Sequence, residues 1–152
     1  ASASGTDFRE SKIRFARYLP IHLDRANFEN TDLQEVILGI DLAEKRNKAA
    51  SLQGANLRRA DLTGAQLIGV QFNGADLRGA NLTDANVRGA DFDQADVRGA
   101  IGVTCFLVNT VKNWTTAVRD PGPECLAIPP GAPILLGPDQ ATGRTNPPVQ
   151  KK

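Results

Sequence analysis

The chain has 152 residues, with 18 basic and 17 acidic side chains, 41% apolar residues and 5% aromatic ones. That length suits one domain with its own core. The charges balance segment by segment, with 8 basic and 8 acidic residues in 1–49, 5 and 6 in 50–99, and 5 and 3 in 100–152, so no basic face for nucleic acid is expected, and no stretch is apolar enough over its length to insert in a membrane.

The N-terminus reads ASASG without Met, which fits either the mature end left by signal removal or an expression scar. Over residues 6–39 apolar residues recur at strict intervals of five: Phe8, Ile13, Tyr18, Leu23, Phe28, Leu33 and Leu38. Residues 40–49 are charged and rich in helix formers, and Leu38 to Leu52 is fourteen residues, so the phase is broken there. An excursion from the repeat, a loop or a short helix, accounts for the break. The rival account keeps Leu42 in the second phase and deletes one residue after Leu38. A loop leaving a rigid scaffold often carries function, although a tolerated insertion is the commoner case.

Residues 50–99 are ten consecutive pentapeptides, ASLQG ANLRR ADLTG AQLIG VQFNG ADLRG ANLTD ANVRG ADFDQ ADVRG. The first residue is small, the second polar, and the third large and apolar: Leu52, Leu57, Leu62, Leu67, Phe72, Leu77, Leu82, Val87, Phe92 and Val97. Gly fills the fifth place seven times. In a helix this period would rotate the apolar stripe by about 140° per unit. In a strand it would send successive third residues to opposite faces. A short extended piece followed by a turn at the fifth residue, where Gly accepts positive φ, lets every first and third side chain face a common axis.

These units resemble the pentapeptide-repeat family, whose motif is A(D/N)LXX. The resemblance covers the ten units closely and residues 6–39 loosely, where ANFEN at 26–30 matches best. It implies an all-β fold, a right-handed quadrilateral β-helix with four pentapeptides per turn. Positions twenty apart then stack, placing Leu52, Phe72 and Phe92 in one column and Leu57, Leu77 and Val97 in another. Arg58, Arg78 and Arg98 form an outward column, a possible interaction site unless neighbouring Asp side chains neutralise it.

Residues 100–128 carry Phe106, Leu107, Val108, Val111, Trp114 and Val118, spaced for one amphipathic helix or two short ones covering the last coil. Trp114 fits a packing role there. Cys105 and Cys125 are the only cysteines; a disulfide between them is expected, against two free thiols in a reducing compartment. With one His in the chain, His22, a zinc site is not expected. Residues 129–152 are Pro-rich and lack apolar periodicity, so an extended or disordered tail is expected.

The chain offers no nucleophile paired with a base, so no enzyme and no cofactor or metal is expected. An enzyme or small-ligand site that uses the 40–49 excursion is the alternative. The reading adopted is a non-enzymatic, monomeric module docking an unidentified protein partner. The resemblance supplies a rival, since some members mimic DNA and bind gyrase, but that needs a negative surface that the arginines of 50–99 offset. The cysteine pair tilts localisation to an exported, oxidising compartment, and the resemblance includes thylakoid-lumen members; periplasm fits too, and cytoplasm is the alternative.

Overall fold

The computed structural model of the protein describes residues 2–17, 22–40 and 48–121. Each pentapeptide forms one side of a four-sided coil, its second residue making a parallel bridge to a second residue one coil on. Side 1 runs through Ser2, His22, Ser51, Gln71, Asp91 and Lys112; side 2 through Asp7, Asn27, Asn56, Asp76, Asp96 and Val118. Side 3 runs through Lys12, Asp32, Asp61, Asn81 and Ile101, and side 4 through Ile37, Gln66 and Asn86.

Following one pentapeptide, 55–59, accounts for all its backbone donors. The N–H of Asn56 reaches back to Ala26 O at 3.0 Å, while those of Leu57 and Arg59 reach forward to Asp76 O at 2.7 Å and Arg78 O at 3.0 Å. The N–H of Ala55 closes the preceding corner onto Leu52 O at 3.1 Å, as that of Ala60 closes the next onto Leu57 O at 3.1 Å. Only the fourth N–H lacks a backbone partner, and the Asn56 Oδ1 accepts it, from Arg58 N at 3.1 Å. The same bond recurs at Asp61, Asp76, Asn81, Asp91 and Asp96. Asp and Asn therefore prevail at the second place because only a short side-chain acceptor closes this turn. The fifth residue takes positive φ whether Gly or not, as at Arg25, Arg59 and Asp84.

Third residues point inward. All ten of residues 50–99 are buried, from 0% exposure at Leu52 to 4% at Val97. Phe8 and Phe28 stack with centroids 4.8 Å apart and planes 8° apart, matching the ~4.8 Å rise between paired strands. Phe72 and Phe92 lie 5.1 Å apart, and Trp114 meets Phe92 edge-on at 5.9 Å, ending that column. Leu23, Leu33 and Leu38 are equally enclosed, whereas Phe8 and Ile13 in the first coil are only half covered. Tyr18 lies outside the described residues.

Bridges between the two repeat blocks join residues 29 apart, as His22 to Ser51 and Ile37 to Gln66, against 20 within each block. Nine residues thus leave the coil between Leu38 and Ala50, whose N–H donates to Leu38 O at 2.7 Å. Ile40 still donates to Ile68 O at 2.9 Å, and at Gly39 just before it an added Cβ would sit 2.2 Å from the Ile68 backbone N. Residues 41–47, which carry the choice between loop and helix, lie outside the described residues.

The C-terminal segment forms two short helical pieces. The helix α1, Cys105–Thr110, has Thr104 at its N-cap, whose hydroxyl accepts from Leu107 N at 3.2 Å. It stands as the fourth side of a coil rather than as a plate over the end: Leu107 is buried and Thr110 O accepts from Gly89 N at 2.8 Å. A 3₁₀ turn, Trp114–Thr116, follows. Asp91 pairs with Lys112, 21 residues on, and Asp96 with Val118, 22 on, so each helical piece adds one residue to its coil. Phe106 and Val118, expected in the apolar stripe, are 42% and 46% exposed. The Pro-rich 129–152 lies outside the described residues.

Candidate functional site

Side 2 carries the expected arginine column at its fourth positions. Arg78 grips Asp76 through two bonds, Nε to Oδ1 at 2.8 Å and Nη2 to Oδ2 at 2.5 Å. Arg98 grips Asp96 likewise at 2.9 and 2.6 Å. Arg78 Nε also lies 3.7 Å from Asp96 Oδ2, linking the two coils. The Arg78 guanidinium, as hydrogen-bond donor, holds the Asp76 carboxyl below the usual carboxylate range, and Arg98 does the same for Asp96. In the first coil Arg9 and Asp7 repeat the pair at 2.7 Å.

Arg58 differs. Its pentapeptide has Asn56 where those of Arg9, Arg78 and Arg98 have Asp, so the backbone turn is closed without a carboxylate two residues before the arginine. Asn56 Nδ2 donates at 3.5 Å to Glu29, one coil back. The three arginines therefore stack in one column yet form two paired groups and one that has no ion pair among the described residues.

The other candidates are dispersed. Cys105 begins α1 at the surface, and Cys125 lies outside the described residues. His22 sits alone on side 1, and among the described residues no His, Cys, Asp and Glu cluster suits a metal ion. Asp91 and Asp93 clasp the C-terminal turn: Asp91 accepts from Asn113 Nδ2 at 2.7 Å and Asp93 from Thr116 Oγ1 at 2.6 Å. Burial raises the Asp91 carboxyl, but the bonds from Asn113, Asp93 N and Asn73 outweigh it and the net direction is down. An open depression is lined, among the described residues, by Asp7, Arg9 and Glu10. Among the described residues no helix is long and apolar enough to cross a membrane. The sequence signal that marks Arg58 as different within side 2 is Asn56, ANLRR against ADLRG and ADVRG on the same side.

A family profile described as pentapeptide repeats, in 8 copies, matches residues 48–79 and 60–99. No curated protein matches the chain. Among solved structures, it is similar to a pentapeptide repeat protein, Rfr23, of the cyanobacterium Cyanothece 51142, with 23% identity over 78% of this chain and 87% of that one and a TM-score of 0.37. It is also similar to one from the Arabidopsis thaliana thylakoid lumen, with 29% identity over 61% and 55% and a TM-score of 0.31. QnrB1, a plasmid-mediated fluoroquinolone resistance protein, shares 13% identity over 66% and 67% with a TM-score of 0.35. Residues 48–99 are thus pentapeptide repeats by their family profile, and the bridges among the described residues give them the four-sided coil that the repeat implies.

Proposed function

We propose that this protein is a non-enzymatic interaction module that acts as a monomer, its rigid coil presenting side 2 to a protein partner. The observation that carries this reading is the use of the backbone: donors are consumed in ladder and turns, so a partner meets a fixed array of side chains and loses little conformational entropy on that surface. Arg58, Arg78 and Arg98 belong to that array. Reversing the charge of all three and repeating affinity capture from the source organism tests it; unchanged partner recovery discards side 2 as the docking face. DNA mimicry toward gyrase is less well supported, because each Asp that would stand for a phosphate on side 2 is neutralised by its own Arg. Strong inhibition or protection in a supercoiling assay reverses that ranking.

The same reading places the protein in an exported, oxidising compartment, thylakoid lumen or periplasm, with Cys105 joined to Cys125. Support comes from the position of Cys105 at the surface end of α1, where Cys105 is not a free thiol. A mass measurement with and without reductant and alkylation decides it: a gain of two alkyl groups only after reduction is expected, and alkylation without reductant refutes the bond.

A further inference from the structure

We infer that Arg25, Arg58 and Arg59 form the recognition centre of side 2, and that its partner is a carboxylate-rich protein segment; this rests on the docking reading above and supplies the chemistry of the partner. Arg58 faces outward from the side, with Asn56 in place of the Asp that holds Arg78 and Arg98. Arg25 and Arg59 occupy the two corners that bound the side, both with positive φ. Their stems are laid over glycines of the next coil. A Cβ at Gly54 would touch Arg25 Cγ at 3.6 Å, and one at Gly79 would touch Arg59 Cγ at 3.5 Å. All three guanidiniums lack an ion pair among the described residues, as does Arg88 on side 4, while Arg9, Arg14, Arg78 and Arg98 each have one.

Three unpaired guanidiniums flanking a single side leave a local excess of positive charge in a chain that is otherwise near neutral. The planar fork of Arg suits bidentate carboxylates. A duplex nucleic acid is a poorer fit, because it needs a basic stripe along many coils, whereas the Asp76 and Asp96 carboxylates stand on the same side directly beyond the cluster. Those carboxylates and Glu29 confine an acidic segment to the short stretch between the corners. The ligand is therefore two or three carboxylates long, not an extended polyanion.

Fluorescence anisotropy with a labelled oligoglutamate peptide at low ionic strength tests the inference on the full chain, with melting curves to show that each variant is folded. Arg25→Gln/Arg58→Gln/Arg59→Gln is expected to weaken binding about tenfold or more. Lys12→Gln/Lys48→Gln/Arg88→Gln removes the same net charge elsewhere and is expected to cost less than about threefold. Asn56→Asp, which restores the pair that Arg78 has, is expected to weaken binding without unfolding the coil. Glu29→Gln is expected to strengthen it. Equal losses in the two triple variants, no binding at all, or tighter binding of a length-matched oligodeoxynucleotide overturns the inference. If the peptide ignores the three arginines while charge reversal of side 2 still abolishes partner capture, the docking reading stands and the acidic partner falls. If both are indifferent, both fall.

Discussion

Truncating Leu77 to Ala tests the inward geometry most severely. The side chain is fully buried, with Leu57 and Val97 below and above it in a column set by the bridges of side 2. Its backbone is held on both flanks, by Leu77 N to Asp96 O at 2.7 Å and by Ala80 N to Leu77 O at 3.0 Å. Neighbouring coils cannot close on the gap without breaking that ladder, so the cost belongs in the upper part of the range for buried Leu to Ala, about 3–5 kcal/mol. For a domain of this size each kcal/mol lowers Tm by about 3–4 °C, so a fall of roughly 10–20 °C is expected. Thr63→Ala is the companion. Thr63 is only half-buried and loses one hydroxyl bond to Asp61 Oδ1 at 2.6 Å, worth about 1 kcal/mol or less. Calorimetry on both variants decides the matter, and comparable shifts refute the assignment of third residues to the core.

Gly102→Ala should be among the most damaging glycine substitutions, since its φ is +81° and a Cβ would lie 2.5 Å from Thr83 N; a loss above about 2 kcal/mol is expected by denaturant titration. Gly74→Ala, at φ +65° with nothing within 4 Å, should cost only about 1–2 kcal/mol, and equal effects contradict the crowding argument. The Asp7, Asp76 and Asp96 carboxyls lie below their ordinary values because arginine donors hold the charged form. Their stabilisation is therefore complete above the unfolded carboxylate range and is lost as pH falls below about 4, through their lowered values. Tm should accordingly be level from pH 5 to 8 as far as these groups decide it, with the acid fall shallower in Asp76→Asn/Arg78→Gln; an unchanged acid limb argues against the pairs. Cys105→Ser should lower stability by about 3 kcal/mol if a loop of the Cys105–Cys125 size is closed by a bond in the oxidised protein, and equal melting of the variant and the wild type under oxidising conditions argues against it.

The repeat was legible from residues because a five-residue period leaves few geometries that keep Ala and Leu on one side. The burial of Leu62, Phe72 and Leu82 follows from that period alone. Residues 6–39 were legible more faintly, through Phe8 and Phe28, which stack face to face although among the units of that block only ANFEN fits the motif closely. The C-terminal stretch was legible in composition and misleading in arrangement: its apolar spacing marks helix, but nothing local says that α1 serves as a side of the coil and leaves Phe106 outside. That outcome depends on where Gly89 and Ala90 of the preceding coil offer their N–H and C=O groups, to Thr110 and Lys112.

The candidate site divides in the same way. That Arg58, Arg78 and Arg98 share a column is a matter of counting by twenty. Which of them is engaged is a matter of a two-residue contact across a turn, visible in the Asn56 for Asp exchange only once the turn geometry shows that second and fourth side chains meet. That Arg25 lies in the coil next to that of Arg58 comes from residues 29 apart being brought one coil apart by the excursion after Leu38. Periodicity alone determined which side chains face the axis, because every unit obeys one local rule. The tertiary structure alone decided what the outward side chains touch, because those neighbours come from coils above and below whose offset no local pattern records.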